Sequence, residues 1–242
     1  MAHGQPDYGM YARKRTVGSM ADNAELAARL GSIDTYDRRG DTIFLDDFES
    51  GINKWSVGAV GTGASVLWSP EDARSGAFSA KMTAGSDQSH YCRIYKSFQK
   101  PILSNLSIEF SFSIASYPES LFLFFWLYDG IKASRGTIGY EAVAHLLKYY
   151  DSTGNYQNLE TGYELPTGIH LFNTMKLTVD WENLLYKRLR VNHEEWDMSS
   201  YPLYSAGSTA SPYLWLSLYY YGLAGQNGVA YFDDVIIKQN EP

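Results

Sequence analysis

Cysteine is almost absent from this chain. Cys92 stands alone among 242 residues, so no internal disulfide can staple the fold. Its neighbours Tyr91 and Ile94 suggest a strand, where a thiol is ordinarily inert. Positive charge is also in deficit, with a net charge of −7. The one dense basic cluster is Arg13, Lys14 and Arg15. Phosphate neutralisation needs clustered Lys and Arg, so a general nucleic-acid binder is excluded. Long apolar runs are missing too. The longest, LFLFFWLY at 121–128, has the length of a strand, and no membrane span is expected. Runs of Ala, Leu, Glu and Lys are scarce, whereas glycine (21) and tyrosine (20) are plentiful, which disfavours an all-α protein. The opening residues MAHGQPDYGMYARKRT lack the basic start, apolar middle and small-residue cleavage site of a secretory signal. Synthesis in a cytosol is therefore expected.

What is present divides at about residue 41. In residues 1–41 the charges nearly cancel, so the acidity belongs to the remainder. SMADNAELAARLG at 19–31 reads as one short helix (about 20–30), with Ser19 or Asp22 as N-cap and Gly31 as the stop. Its apolar face, Met20, Ala24, Ala27 and Leu30, is too narrow to hold the helix in water without a docking partner. The flanking GQPDYG and DRRGD have turn chemistry. An extended arm is expected, ordered by contact with something else.

From Thr42 to the end the chain reads as short strands separated by Gly, Ser, Asn and Pro turns. In LSIEFSFSIA (106–115), Ile108, Phe110, Phe112 and Ile114 share one face, and Glu109, Ser111 and Ser113 the other. In MKLTVDW, Met175, Leu177 and Val179 face the core. LFLFFWLYD is apolar on both faces, so it either lies beneath another layer or carries an aromatic binding surface. The expected fold is all-β, an antiparallel sandwich over residues 42–242.

The order of DDFESGINKW (46–55), SGAFSAKM (75–82), NTMKLTVDWENLLYKRLRVN (173–192) and VAYFDDVIIK (229–238) resembles jelly-roll and concanavalin-like sandwiches. That group includes carbohydrate-binding modules, laminin-G-like domains and laminarinase-type hydrolases. The resemblance implies that the first and last strands run side by side. It further implies a structural Ca²⁺ held by Asp46, Asp47, Glu49, Asp233 and Asp234, since pooled carboxylates repel unless a hard cation relieves them. The alternative is that both acidic pairs sit at strand ends facing water.

Catalytic patterns are lacking. Laminarinase-like members carry an approximate E-x-D-x-x-E strand, and no such run occurs. In HEEWDM (193–198) Glu194, Glu195 and Asp197 fall in the wrong register. His3, His90, His145, His170 and His193 have no metal-ligand spacing, and no G-x-S-x-G elbow or phosphate-binding glycine loop is present. A non-enzyme is expected.

Two non-catalytic roles fit. One is an assembly subunit of the phage-type coat, decoration or tail-associated kind, carried on a virion or other extracellular assembly. It would dock on other copies of itself or on a shell protein through Tyr8, Tyr11, Arg13, Lys14, Arg15, Met20 and Leu30. This is the leading expectation. The alternative is a lectin-like module binding surface glycans. Its sugar faces would stack on rings drawn from Trp126, Tyr128, Tyr149, Tyr150, Trp215, Tyr219 and Tyr221, with Trp126, Tyr128, Tyr149, Trp215 and Tyr219 foremost.

Overall fold

The computed structural model describes residues 40–116 and 118–242. Every regular element in them is a strand: β1 (Asp41–Asp46), β2 (Ser56–Val60), β3 (Ser65–Ser69), β4 (Ser79–Thr83), β5 (Tyr91–Gln99), β6 (Asn105–Ile114), β7 (Ser120–Tyr128) and β8 (Lys132–Glu141). They continue as β9 (Leu146–Tyr150), β10 (Tyr156–Thr161), β11 (Phe172–Asp180), β12 (Leu185–Val191), β13 (Glu194–Asp197), β14 (Tyr204–Gly207), β15 (Tyr213–Tyr221) and β16 (Val229–Gln239). The segment expected to form an arm, with a helix expected over about 20–30, and the residues Tyr8, Tyr11, Arg13, Lys14, Arg15, Met20 and Leu30 lie outside the described residues.

The strands form two antiparallel eight-stranded sheets. One runs β13-β12-β11-β6-β16-β4-β3, with β1 also pairing β16; the other runs β10-β9-β8-β7-β15-β5-β2, with β14 pairing β8. We call these the first and second sheets. Alternation builds the core between them. Leu106, Ile108, Phe110, Phe112 and Ile114 of β6 and Met175, Leu177 and Val179 of β11 point inward from the first sheet. Leu121, Leu123, Phe125 and Leu127 of β7 and Leu214, Leu216, Leu218 and Tyr220 of β15 point inward from the second. All belong to one apolar cluster, whose burial is the main stabilising term.

Two local expectations need correction. KRLRVNHEEW is a hairpin rather than one strand. β12 pairs β13 from Val191↔Glu194 onward, and Asn192 adopts φ 53° in the turn, a left-handed conformation that asparagine tolerates. The short strands β10 and β14 have no clear alternation in sequence and were not expected. They form because β9 and β8 each offer an open edge.

β16 explains why two carboxylates head an apolar strand. Before them, Ala230 and Phe232 face the core; after them, Val235 and Ile237 do. The inward positions change from even to odd numbers, which requires one extra residue. The register against β6 shifts between Asp233 and Ile236, and Asp234 takes φ 50°. The pair thus forms a β-bulge. The bulge also divides the neighbours of β16, since β4 pairs Val229–Phe232 and β1 pairs Val235–Gln239. The first and last strands do run side by side, as the family resemblance implied.

Candidate functional site

The carboxylates expected to share a cation each meet donors of the protein. Asp233 is fully buried. Its Oδ2 accepts the backbone N–H groups of Arg74 at 2.8 Å and Ser75 at 3.1 Å, and its Oδ1 accepts that of Asp234 at 2.8 Å. Asp234 Oδ1 accepts the Ser75 hydroxyl at 2.8 Å. Glu49 Oε1 accepts the N–H groups of Ala77 and Phe78 at 2.7 and 2.8 Å. Asp46 accepts Lys54 Nζ at 2.7 Å and Trp55 Nε1 at 2.6 Å, and Asp47 accepts the N–H of Glu49 at 3.2 Å. The acidic residues therefore grip the loop 74–78 from two sides through its amides. Burial first, and the neighbouring Asp234 second, push the Asp233 carboxyl up to about 7 against these N–H groups. Among the described residues no three His, Cys, Asp or Glu side chains converge in a group that could hold a metal. Each of the five thus accepts a hydrogen bond from an N–H group, a hydroxyl or an ammonium of the protein.

A different site stands on the outward face of the second sheet. The side of β7 that does not enter the core presents Phe122, Phe124, Trp126 and Tyr128, all half-buried. β15 presents Tyr213, Trp215, Tyr219 and Tyr221 beside them. Register aligns the two rows, with Trp215 opposite Trp126 and Tyr213 opposite Tyr128. The rings form a continuous layer: Trp126 stacks on Tyr128 at 5.8 Å, Tyr128 on Tyr213 at 4.3 Å, and Phe124 meets Tyr219 edge-on at 4.8 Å. Ser217, the small member of the β15 row, lies between Trp215 and Tyr219, and its hydroxyl turns down to the carbonyl of Ile94 at 3.2 Å. Ser217 itself is fully buried beneath the layer.

Two glycines make room for the larger groups. Gly139 lies opposite Phe122, and a Cβ there would fall 2.1 Å from the Phe122 ring. Gly58 lies opposite Arg93, and a Cβ there would sit 3.0 Å from Arg93 Nε. Each glycine thus lets its neighbour lie flat on the sheet.

Two arginines are set into this layer. The Arg135 guanidinium lies 3.7 Å from the Tyr150 ring centre and 4.7 Å from that of Phe124. Its Nε donates to Thr137 at 2.6 Å and its Nη2 to the Tyr156 hydroxyl at 2.7 Å. The Arg93 guanidinium lies 4.8 Å from the Tyr95 ring centre and 5.3 Å from that of Tyr219, to whose hydroxyl its Nη1 donates. Stacking on aromatic faces fixes a guanidinium plane without neutralising it. Burial pushes the phenols of Tyr128 and Tyr221 up to about 12, so these rings carry no charge at neutral pH.

Of the aromatic residues expected to face a sugar, Trp126, Tyr128, Trp215 and Tyr219 share this surface. Tyr149 does not. It pairs with the inward-pointing Ile138 and packs edge-on against Tyr186 at 5.9 Å and Tyr201 at 4.8 Å, half-buried against the core cluster. Its neighbour Tyr150 takes the outward place. Arg93, Arg135, Phe122 and Phe124 were missed. Their signal was the alternation of YCRIYKSF and of LFLFFWLYD, which places Arg93 with Tyr91 and Tyr95, and Phe122 with Trp126. HEEWDM lies on β13 at the edge of the other sheet, with Glu194, Glu195 and Asp197 exposed.

No family model and no curated protein matches this chain. Solved structures do. A cellulose-induced protein, Cip1, superimposes with a TM-score of 0.53 at 18% identity, over 80% of this chain and 96% of its own. The carbohydrate recognition domain of Emp47p gives 0.50 at 13%, over 84% and 99%. A carbohydrate esterase from the Shiga toxin-encoding bacteriophage phi24B gives 0.51 at 12%, over 84% and 100%. The chain is a concanavalin-like, jelly-roll β-sandwich. At these identities the likeness establishes the fold, and function has to be argued from the site.

Proposed function

We propose that the protein is a glycan-binding module whose ligand lies on the outward face of the second sheet. The observation that carries this reading is the paired placement of Trp126 and Trp215 within one layer of rings. Pyranose faces are apolar and stack on such planes, while hydroxyl groups between the rings take the polar edges. A face of this kind, lined by half-buried Trp and Tyr and fixed by strand register, is preorganised and loses little entropy on binding. The similar Emp47p domain is described as a carbohydrate recognition domain, which agrees with this use of the fold.

The module binds without hydrolysing. Paired-carboxylate hydrolysis needs two acids about 5 to 9.5 Å apart across the bound sugar. In β2, β5, β7, β8, β9 and β15 the one carboxylate is Glu141, and it is held by Lys148 at 2.6 Å. The test is affinity electrophoresis of the full chain through gels containing soluble polysaccharides of different charge and linkage. Retardation by at least one polymer, lost in Trp126→Ala, supports the reading. Unretarded migration through all of them rejects it.

A further inference from the structure

We infer that the ligand of this face is an acidic polysaccharide, whose carboxylates are bound by Arg93 and Arg135. The inference rests on the glycan reading above and names its substrate class.

Charge is segregated in this molecule. The chain as a whole is acidic, at −7, yet the strands of the second sheet carry Arg93, Lys96, Lys132, Arg135 and Lys148 against Glu141 and Glu160. Glu141 is taken by Lys148, and Glu160 reaches toward Trp196 Nε1 at 3.4 Å. Neither arginine therefore has a carboxylate of this sheet to meet. Their partners among the described residues are hydroxyls and ring faces. Elsewhere in the protein Arg188 stands 3.2 Å from Glu241. The Arg93 Nε is buried over Gly58, which leaves the terminal nitrogens as the end of the fork that can meet a ligand.

The geometry suits carboxylates on a chain. Both guanidiniums are held by ring stacking, so their forks are oriented before the ligand arrives, and a planar fork matches a carboxylate with two parallel hydrogen bonds. β7 and β15 lie between β8 and β5, and Arg93 is four residues along β5 from Ser97, the residue level with Arg135. The two arginines are therefore three strand spacings apart across the sheet and four residues apart along it, roughly 20 Å between backbones. Arg135 is opposite Trp126, and Arg93 is opposite Tyr219. A single small acid cannot reach both, whereas an extended chain crossing Trp126, Phe124 and Tyr219 can. Nucleic acid would also offer anions and flat rings. The overall negative charge of the protein and its two isolated guanidiniums disfavour a backbone with a phosphate at every residue.

The experiment measures binding of the full chain to polygalacturonate, polyglucuronate and alginate, each beside its carboxyl-reduced form, and to a thirty-residue oligothymidylate. Arg93→Gln, Arg135→Gln and the control Lys187→Gln, on the other sheet, are compared after circular dichroism confirms their fold. The expected result is binding to at least one acidic polymer. That binding should weaken about tenfold or more on carboxyl reduction and in either arginine variant, and remain unchanged in Lys187→Gln. Equal binding of a polymer and its reduced form, or binding to the reduced forms alone, overturns this inference and leaves the glycan reading standing. Tighter binding of the oligothymidylate than of any polysaccharide overturns it in favour of nucleic acid. Absence of binding to every polymer overturns both.

Discussion

Trp126 lies directly opposite Trp215 across the β7 and β15 pair, and both indoles leave the sheet on the side away from the core. Tryptophan truncation at the centre of a binding surface commonly costs about 2 kcal/mol, or some thirtyfold in affinity. Trp126→Ala and Trp215→Ala should each weaken polysaccharide binding by about that factor. Because neither ring enters the core, the melting temperature should fall by only a few degrees. Isothermal titration beside a thermal melt checks both.

Tyr149→Ala should behave in the opposite way. Its half-buried ring packs on Tyr186 and Tyr201 against the core, so truncation removes packing contacts worth about 2 kcal/mol. Stability measured in urea should drop accordingly, while the affinity of the folded protein for polysaccharide stays as it was.

Asp233 holds the loop 74–78 by accepting the N–H groups of Arg74 and Ser75. Asp233→Ala leaves those donors without their acceptor and empties a buried space. The cost should be on the order of 2 to 4 kcal/mol. Limited proteolysis should then cut within the loop, where the unaltered protein resists.

Burial pushes the Cys92 thiol up to about 12. At pH 8 its thiolate fraction is then roughly one part in ten thousand, against about a quarter for an ordinary cysteine. The folded protein should not react with iodoacetamide at pH 8. The thiol should become reactive only across the urea unfolding transition, read by intact mass. Rapid alkylation of native protein would contradict the placement of Cys92 inside the second sheet.

Much of this was legible in the sequence because strand alternation has a period of two. The inward sets of β6 and β11 follow directly from LSIEFSFSIA and MKLTVDW, and the aromatic double-sidedness of β7 left two readings, a covering layer or a binding surface. Tyr149 went astray because adjacent tyrosines in KYY give no alternation to read, and only pairing with Ile138 decides which one turns inward. Arg93 and Arg135 lie 42 residues apart and meet the same layer only through strand order, which is non-local. The sequence shows five carboxylates near two neighbouring strands but not the donors they meet in the fold: Asp233 and Glu49 accept amides of the loop 74–78, Asp234 the Ser75 hydroxyl and Asp46 the Lys54 ammonium.

The most direct measurement is a titration of the indole ¹H–¹⁵N signals of the six tryptophans with oligosaccharides cut from a bound acidic polymer. The account predicts that Trp126 and Trp215 shift with the ligand while the core residue Trp181 does not. Shifts confined to Trp68 or Trp196, with Trp126 and Trp215 unmoved, would place the ligand elsewhere and contradict it.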